Sequence, residues 1–144
     1  FTVVAAFRYI GGRSGDQEIL VSHAIYWYAM SAIYAANHYG NVRGIACLTE
    51  SGSTPLLMSR LSSGLPIFGL ARSPETLQKL CLCRGVIPLF FDASAFDQDE
   101  VDARAIEFLS DGGFLLKGDS ILLTKGTEMG RSGSTNIMKI LPVL

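Results

Sequence analysis

The sequence has little charge and no concentration of one sign. Only 17% of its residues are charged, and 12 Lys and Arg against 13 Asp and Glu leave a net charge of −1. Lys and Arg form no cluster along the chain, whereas proteins that bind nucleic acid or anionic membranes carry a clustered basic surface. No apolar run reaches the roughly 18 residues that a membrane span needs. We therefore expect neither a nucleic-acid partner nor a membrane partner.

Cysteine is scarce and poorly spaced for metal or disulfide chemistry. Cys81 and Cys83 are far from Cys47, and a Cys-x-Cys with one distant partner lacks zinc-ligand spacing. This use of cysteine is typical of a reducing compartment, so we expect a cytoplasmic protein without a metal site of its own. The sequence also lacks a P-loop motif and any Ser-His-Asp or Cys-His arrangement. It therefore predicts no catalytic residue in this chain.

Length and the first residues set the expected domain boundaries. The 144 residues suit one domain, since two would each be too small to bury a comfortable core. The chain begins at Phe1 rather than Met, without a basic lead or a cleavage site, so we expect it to start inside a longer gene. A glycine-rich stretch precedes the first helical pattern. We assign residues 1–18 to an N-terminal junction or linker and residues 19–144 to the domain.

Helical and strand-like segments alternate along the rest of the chain. Apolar residues at helical spacing predict a first helix from Ile19 to about His38. Three strand–helix units and two final strands follow, with strands predicted at residues 43–48, 67–70, 86–91, 120–124 and 137–143. The link between the last two strands is too short for a crossover helix, so they should pair antiparallel. The sequence predicts an α/β fold, a three-layer α/β/α domain with a five-stranded mixed sheet whose last strand is antiparallel.

The first loop that could carry chemistry follows the first predicted strand and leads into a helix that begins near Pro55. Its residues are Thr49, Glu50, Ser51, Gly52, Ser53 and Thr54. Ligands of such sheets bind beyond the carboxyl ends of the strands, and a helix N-terminus with hydroxyl donors favours an anion. The alternative is that Ser53 or Thr54 simply caps the helix. Glu50 complicates an anion site, because a carboxylate repels phosphate unless it turns away or meets a ligand hydroxyl.

A second loop, residues 125–136, joins the last two strands. It is rich in glycine and hydroxyl groups, and it carries Lys125 and Arg131. These two cations could close the loop over a phosphorylated ligand. The alternative is a hairpin loop whose charges are simply solvated.

Several segments resemble the C-terminal domain of pyruvate kinases, in that family's order and spacing from about residue 20 to 143. The segments are residues 45–60 (IACLTESGSTPLLMSR), 65–72 (LPIFGLAR), 84–90 (RGVIPLF), 117–124 (KGDSILLT) and 133–139 (GSTNIMK). Each motif alone would be weak, and together they are specific. The resemblance implies the pyruvate kinase C-terminal fold.

The resemblance also implies a function for a longer parent protein. Pyruvate kinases move a phosphoryl group from phosphoenolpyruvate to ADP in glycolysis, using Mg²⁺ and K⁺ in a (β/α)₈ barrel that this chain lacks. The chain alone would then be inactive and without a cofactor, acting as a regulatory and subunit-contact domain of a homo-oligomer, against its own catalytic barrel. A free-standing sensor or interaction domain for phosphorylated metabolites is the alternative.

The resemblance finally implies site residues and a class of effector. The loop from Thr49 to Thr54 corresponds to the family's phosphate-binding loop, and Arg104 to a basic position near a second phosphate. Glu50 departs from the pattern that suits fructose 1,6-bisphosphate. Similar bacterial members with this loop respond to AMP or a sugar monophosphate, which is the effector we expect here. The residues of the loop that would cover the effector are Lys125, Gly126, Arg131, Ser132 and Gly133.

Overall fold

In a computed structural model, the described part of the chain forms six strands and four α-helices. The structure describes the backbone of residues 2–4, 14–61, 63–126 and 135–144, and side chains within those ranges from Tyr26 onward. The strands are β1 (Thr2–Val4), β2 (Val42–Leu48), β3 (Ile67–Ala71), β4 (Val86–Phe90), β5 (Ser120–Gly126) and β6 (Thr135–Pro142). The helices are α1 (Ser14–His38), α2 (Ser53–Ser59), α3 (Pro74–Cys81) and α4 (Val101–Asp111).

The strands form one mixed sheet in the order β1-β6-β5-β2-β3-β4. Strands β5, β2, β3 and β4 run parallel, and β6 pairs antiparallel with β5. The five predicted strands and the antiparallel last strand are therefore confirmed. Strand β4, which contains Pro88, lies at one edge, where a residue without a backbone N–H is tolerated. The short β1 extends the sheet by pairing antiparallel with β6 at the other edge.

The beginning of the chain differs from the expected linker. Helix α1 begins at Ser14 rather than Ile19, and β1 lies inside the stretch assigned to the junction. The first turn of α1 carries polar residues such as Gln17 and Glu18, which favour helix without producing an apolar period. Strand β1 pairs with residues more than 130 positions away, with Thr2 opposite Lys139. No local sequence pattern therefore predicts it. The boundary between junction and domain stays a prediction.

One face of the sheet is covered by α1, α2 and α3. Their buried side chains pack on strand residues such as Ile45, Ile67 and Leu122. Helix α1 contributes Ala29, Ala32 and Ala36, each at most 2% exposed, and small side chains at this spacing let a helix approach a sheet closely.

Helix α4 covers the other face and completes the three layers that the sequence predicts. Its Val101, Ala105 and Leu109 are fully buried against Phe68, Leu123 and neighbouring strand residues. The change of face follows from right-handed crossovers. Connections from β2 to β3 to β4 run one way across the sheet, and the connection from β4 returns to β5 on the far side of β2.

The three cysteines are free thiols. Cys47 is completely buried, and desolvation raises the pKa of its thiol to about 12 although Thr124 donates a hydrogen bond to its sulfur at 3.1 Å. Burial also raises the pKa of Tyr28, with Cys47 as a second cause. Both groups are thus neutral at physiological pH and belong to the core.

No helix within the described residues is long and apolar enough to cross a membrane. Among the side chains that the structure describes, no group of three or more His, Cys, Asp and Glu is arranged to hold a metal ion.

A pair of lysines ties α4 to the last two strands. Asp102, in the first turn of α4, contacts Lys125 of β5 through Oδ1 at 2.6 Å, an ion pair rather than an aligned hydrogen bond. Its Oδ2 accepts a hydrogen bond from Lys139 of β6 at 2.5 Å. The three side chains are only 9–26% exposed, so water screens these ion pairs less than surface ones.

We predict that Leu109→Ala lowers the free energy of unfolding by about 2–5 kcal/mol, because it leaves a cavity under the helix that covers this face. Urea unfolding followed by circular dichroism measures the change. Leu82→Ala is the matched control, since Leu82 is 90% exposed and its truncation should cost less than about 0.5 kcal/mol. Equal losses in the two variants would contradict this account of the core.

We predict that Asp102→Asn lowers the free energy of unfolding by about 2–4 kcal/mol, because two poorly hydrated lysines lose their counterion. Lys139 is partly exposed, which keeps the expected loss below that of a fully buried pair. Glu107→Gln is the matched control, since its ion pair with Arg104 lies on the surface and should contribute less than about 1 kcal/mol. A loss no larger than the control's would show that the ion pairs carry no stability.

Candidate functional site

The strand order reverses between β2 and β5. From β2 the chain proceeds outward through β3 and β4, and it then returns to β5 on the opposite side of β2. Open α/β sheets bind ligands outside the carboxyl ends of the strands at such a reversal. The loop after Leu48 and the loop after Gly126 both begin at this edge.

The loop after β2 is closed by its own hydrogen bonds. Thr49 donates its N–H to Leu70 O at 3.0 Å and accepts the Gly52 N–H on Oγ1 at 2.9 Å. Gly52 has φ +80°, and a Cβ there would lie 3.3 Å from both Thr76 and Leu80. Any other residue at this position would combine backbone strain with crowding from α3. The loop therefore has one defined conformation.

The expected helix cap is not made by Ser53 or Thr54. Helix α2 begins at Ser53, so that residue is already helical, and Gly52 is the N-cap without a side-chain hydrogen bond. The Ser53 hydroxyl instead lies 2.9 Å from the Ser51 hydroxyl, which also accepts the Ser53 N–H at 3.4 Å. Because α2 has only seven residues, its dipole alone would not make an anion site.

Thr54 connects the two predicted loops. Its hydroxyl lies 3.0 Å from the hydroxyl of Thr135, the first residue of β6, and Thr54 is 3% exposed. Thr135 is also the partner of Gly126 across the β5–β6 ladder. The start of α2 and both ends of the loop between β5 and β6 therefore meet at one place.

Glu50 is held by a cation, Arg72, that is absent from the site residues predicted from the sequence. Arg72, just after β3, donates its Nε–H to Glu50 Oε2 at 3.2 Å, and Thr76 donates its hydroxyl to Glu50 O at 2.6 Å. Arg72 follows the parallel strand next to β2, so its position at the same edge could have been inferred from the strand order. The Glu50 carboxylate is thus partly neutralised within the loop's own surroundings.

Arg72 also reaches the turn after β4. Its Nη1 donates to Ser94 Oγ at 3.3 Å, and Ser94 donates both its hydroxyl and its N–H to Asp92. The hydrogen bonds from Ser94, with Arg72 nearby, lower the pKa of Asp92. The carboxyl ends of β2, β3 and β4 are therefore linked by one polar chain of contacts.

Lys125 does not face the first loop. Its ammonium group is buried against α4, bound to Asp102 and to Gln98 O, on the opposite side of the sheet from α2. A cleft of about 260 Å³ opens there, bounded in part by Gly126 and Lys139. For Lys125 to contact an effector held by the first loop, this ion pair would have to break; the contact stays a prediction.

The other predicted basic contacts divide into two groups. Arg104 lies on the surface of α4, 3.0 Å from Glu107 and 5.8 Å from the centre of the Phe96 ring, and neither partner belongs to the loops. Arg131, Ser132 and Gly133 lie outside the described residues. Their proposed contacts with an effector stay predictions.

Comparison with known proteins places this geometry in a family. The family described as "Pyruvate kinase, alpha/beta domain" matches residues 28–141. Pyruvate kinase II of Salmonella typhimurium is 48% identical over 115 residues, covering 80% of this chain and 24% of that protein. Pyruvate kinase of Haemophilus influenzae is 45% identical over 116 residues, covering 80% and 23%, and human pyruvate kinase PKLR is 35% identical over 104 residues, covering 69% and 18%.

These matches bear on the two interpretations of the sequence. The chain spans about a quarter of the length of the bacterial relatives that it matches. The alternative of a free-standing sensor domain is not favoured, since the relatives are themselves pyruvate kinases. Because the matched region takes in α2, α3, α4 and strands β2 to β5 entirely, the chain belongs to the pyruvate kinase family and contains its C-terminal α/β domain.

Proposed function

We propose that this chain is the regulatory and subunit-contact domain of a pyruvate kinase, and that its first loop binds the phosphate of an allosteric effector. In the parent protein, a catalytic barrel would transfer a phosphoryl group from phosphoenolpyruvate to ADP in the cytoplasm. The barrel would hold Mg²⁺ and K⁺ with its own residues. This chain would contribute no catalytic group and would be inactive alone.

The contact between Thr54 and Thr135 carries the effector proposal. It joins the start of α2 to the end of the loop between β5 and β6, at the edge where the strand order reverses. A ligand bound there would contact both loops. Its binding could therefore shift β6 as well as α2. Movement of β6 would be the route by which effector binding reaches other parts of the assembly.

Hydroxyl groups supply the expected contacts to phosphate. Ser51 and Ser53 hold part-buried hydroxyls against each other, and Thr49 fixes the loop between them. Both serine hydroxyls can turn to donate to an oxyanion, because each is a rotatable donor. Arg72 adds positive charge at the same edge, although it is engaged with Glu50.

The effector class follows from the charge of the loop. A bisphosphate would place up to four negative charges near the Glu50 carboxylate. Arg72 neutralises that carboxylate only in part. A monophosphate with sugar hydroxyls suits the loop better, because hydroxyls can donate to the Glu50 carboxylate. We therefore propose AMP or a sugar monophosphate, such as ribose 5-phosphate or glucose 6-phosphate.

Two surfaces are available for assembly with the barrel and with other subunits. Helix α1 exposes Trp27 at 63% and Tyr34 at 66%, with the partly exposed Tyr26 and Met30 beside them on the same helix. Large apolar side chains that stay exposed together mark contact surfaces. The edge formed by β1 and β6 is the second surface, since an open strand edge needs a cover.

Titration calorimetry of the chain with AMP, ribose 5-phosphate, glucose 6-phosphate and fructose 1,6-bisphosphate tests the effector proposal. We expect saturable binding of a monophosphate that weakens at least about tenfold in Thr49→Ala and Ser53→Ala, since each removes a hydroxyl that shapes or lines the site. Ser31→Ala, which removes an exposed hydroxyl of α1, should leave the affinity unchanged. If none of the four ligands bound, the effector role would be wrong and only the assembly role would remain.

The same titrations with Glu50→Ala test the effector class. We predict that the affinity for fructose 1,6-bisphosphate rises about fivefold, which is about 1 kcal/mol, because a repulsive carboxylate is removed and Arg72 is released. Glu75→Ala removes a carboxylate from the first turn of α3 instead, and it should have a smaller effect. If the bisphosphate bound tightest to the unchanged chain and Glu50→Ala altered nothing, the monophosphate class would be wrong.

A further inference from the structure

A second cleft lies at the other edge of the sheet, where β3 and β4 begin. It has a volume of about 400 Å³ and is bounded by the end of α2, the loop before β3 and the loop before β4. Its apolar floor includes Met58 and Ile67, which are 0% and 2% exposed. The volume lies within the range of small-molecule pockets, which combine an apolar body with a few polar groups.

Two arginines line this cleft, and neither has a carboxylate partner among the described residues. The structure describes five arginine side chains, and three of them are paired: Arg43 with Asp119, Arg72 with Glu50, and Arg104 with Glu107. Arg60 and Arg84 form no ion pair or hydrogen bond with the described side chains, and both border the same cleft. Among the described side chains, the two arginines that have no carboxylate partner therefore both lie at this cleft.

Both arginines follow helix C-termini, and their side-chain donors are not used by the described residues. Arg60 is the C-cap of α2, and Arg84 follows Leu82, the C-cap of α3, by two residues. Positive charge is favoured after a helix C-terminus, which accounts for cations at these positions. Each guanidinium still presents several N–H donors in a planar fork that matches phosphate and carboxylate.

Serine side chains complete the polar wall. Ser59 and Ser63 border the cleft, and no acidic residue is among the residues that line it. Ser63 accepts the Leu65 N–H on its hydroxyl oxygen at 3.0 Å, which fixes the loop before β3. The wall therefore combines positive charge and hydroxyls above an apolar floor.

We propose that this cleft binds a small organic oxyanion, a phosphate or carboxylate on a compact apolar body, with Arg60 and Arg84 on the oxyanion and the body over Met58 and Ile67. The site is separate from the loop after β2, which lies at the opposite edge of the sheet. The proposal does not depend on the proposed function, and either can fail alone.

Amide NMR of the isotope-labelled chain, titrated with phenyl phosphate and with benzoate, tests the proposal. We expect saturable shifts of the Gly64 and Gly85 amides, which border the cleft and lie outside the effector loops. The Arg60→Gln/Arg84→Gln double variant should bind at least about tenfold more weakly, since it loses two charge-assisted contacts. Benzamide, the neutral counterpart of benzoate, should cause no saturable shift.

Matched variants separate this site from general charge effects and from the first loop. Arg43→Gln also removes an exposed arginine, but one that is paired with Asp119, and it should keep the affinity of the unchanged chain. Thr49→Ala should keep it too, even if that variant abolishes effector binding. Thermal unfolding of the double variant within a few degrees of the parent would show that the fold is intact. Absent shifts, equal binding by benzamide, or unchanged affinity in the double variant would overturn the proposal.

Discussion

The reversal of strand order between β2 and β5 is the constraint on which the other features depend. Because crossovers are right-handed, a chain that moves from β2 to β4 and then returns to β5 must place α4 on the opposite face from α2 and α3. The same reversal leaves the carboxyl ends of β2 and β5 side by side at one edge of the sheet. The contact between Thr54 and Thr135 lies at that edge.

The chain has few charges, and two groups of ion pairs lie beside the predicted loops. Arg72 holds Glu50 at the loop edge, and Asp102 holds Lys125 and Lys139 on the far face. The first pair turns an acid that would repel phosphate toward a cation. The second joins α4 to both strands that flank the loop between β5 and β6, so any shift of β6 relative to α4 must strain a poorly hydrated ion pair.

Local pattern predicted what depends on local chemistry. The apolar runs of β2, β3 and β5 and the proline at the edge of the sheet were sufficient for the mixed sheet and its layers. The sequence did not predict strand β1, because that strand depends on a distant partner. It did not predict the first turn of α1 at Ser14, because that turn has no apolar period. The loop of residues 49–54 does follow a strand end, as predicted, and its role as a binding site stays a prediction. The roles of Ser53, Arg72 and Lys125 depended on which face each side chain occupies, and motif order alone does not give that.

Helix α2 connects the two edges of the sheet. Thr54, in its first turn, contacts Thr135 at the end of the loop between β5 and β6, and Arg60, its C-cap, borders the cleft at the amino-terminal edge. A helix of seven residues is about 10 Å long, and the fully buried Met58 packs it into the core. If ligands bind at both ends and either one shifts α2, each must change the affinity of the other by the same factor. The short helix is therefore the element through which the two edges would communicate.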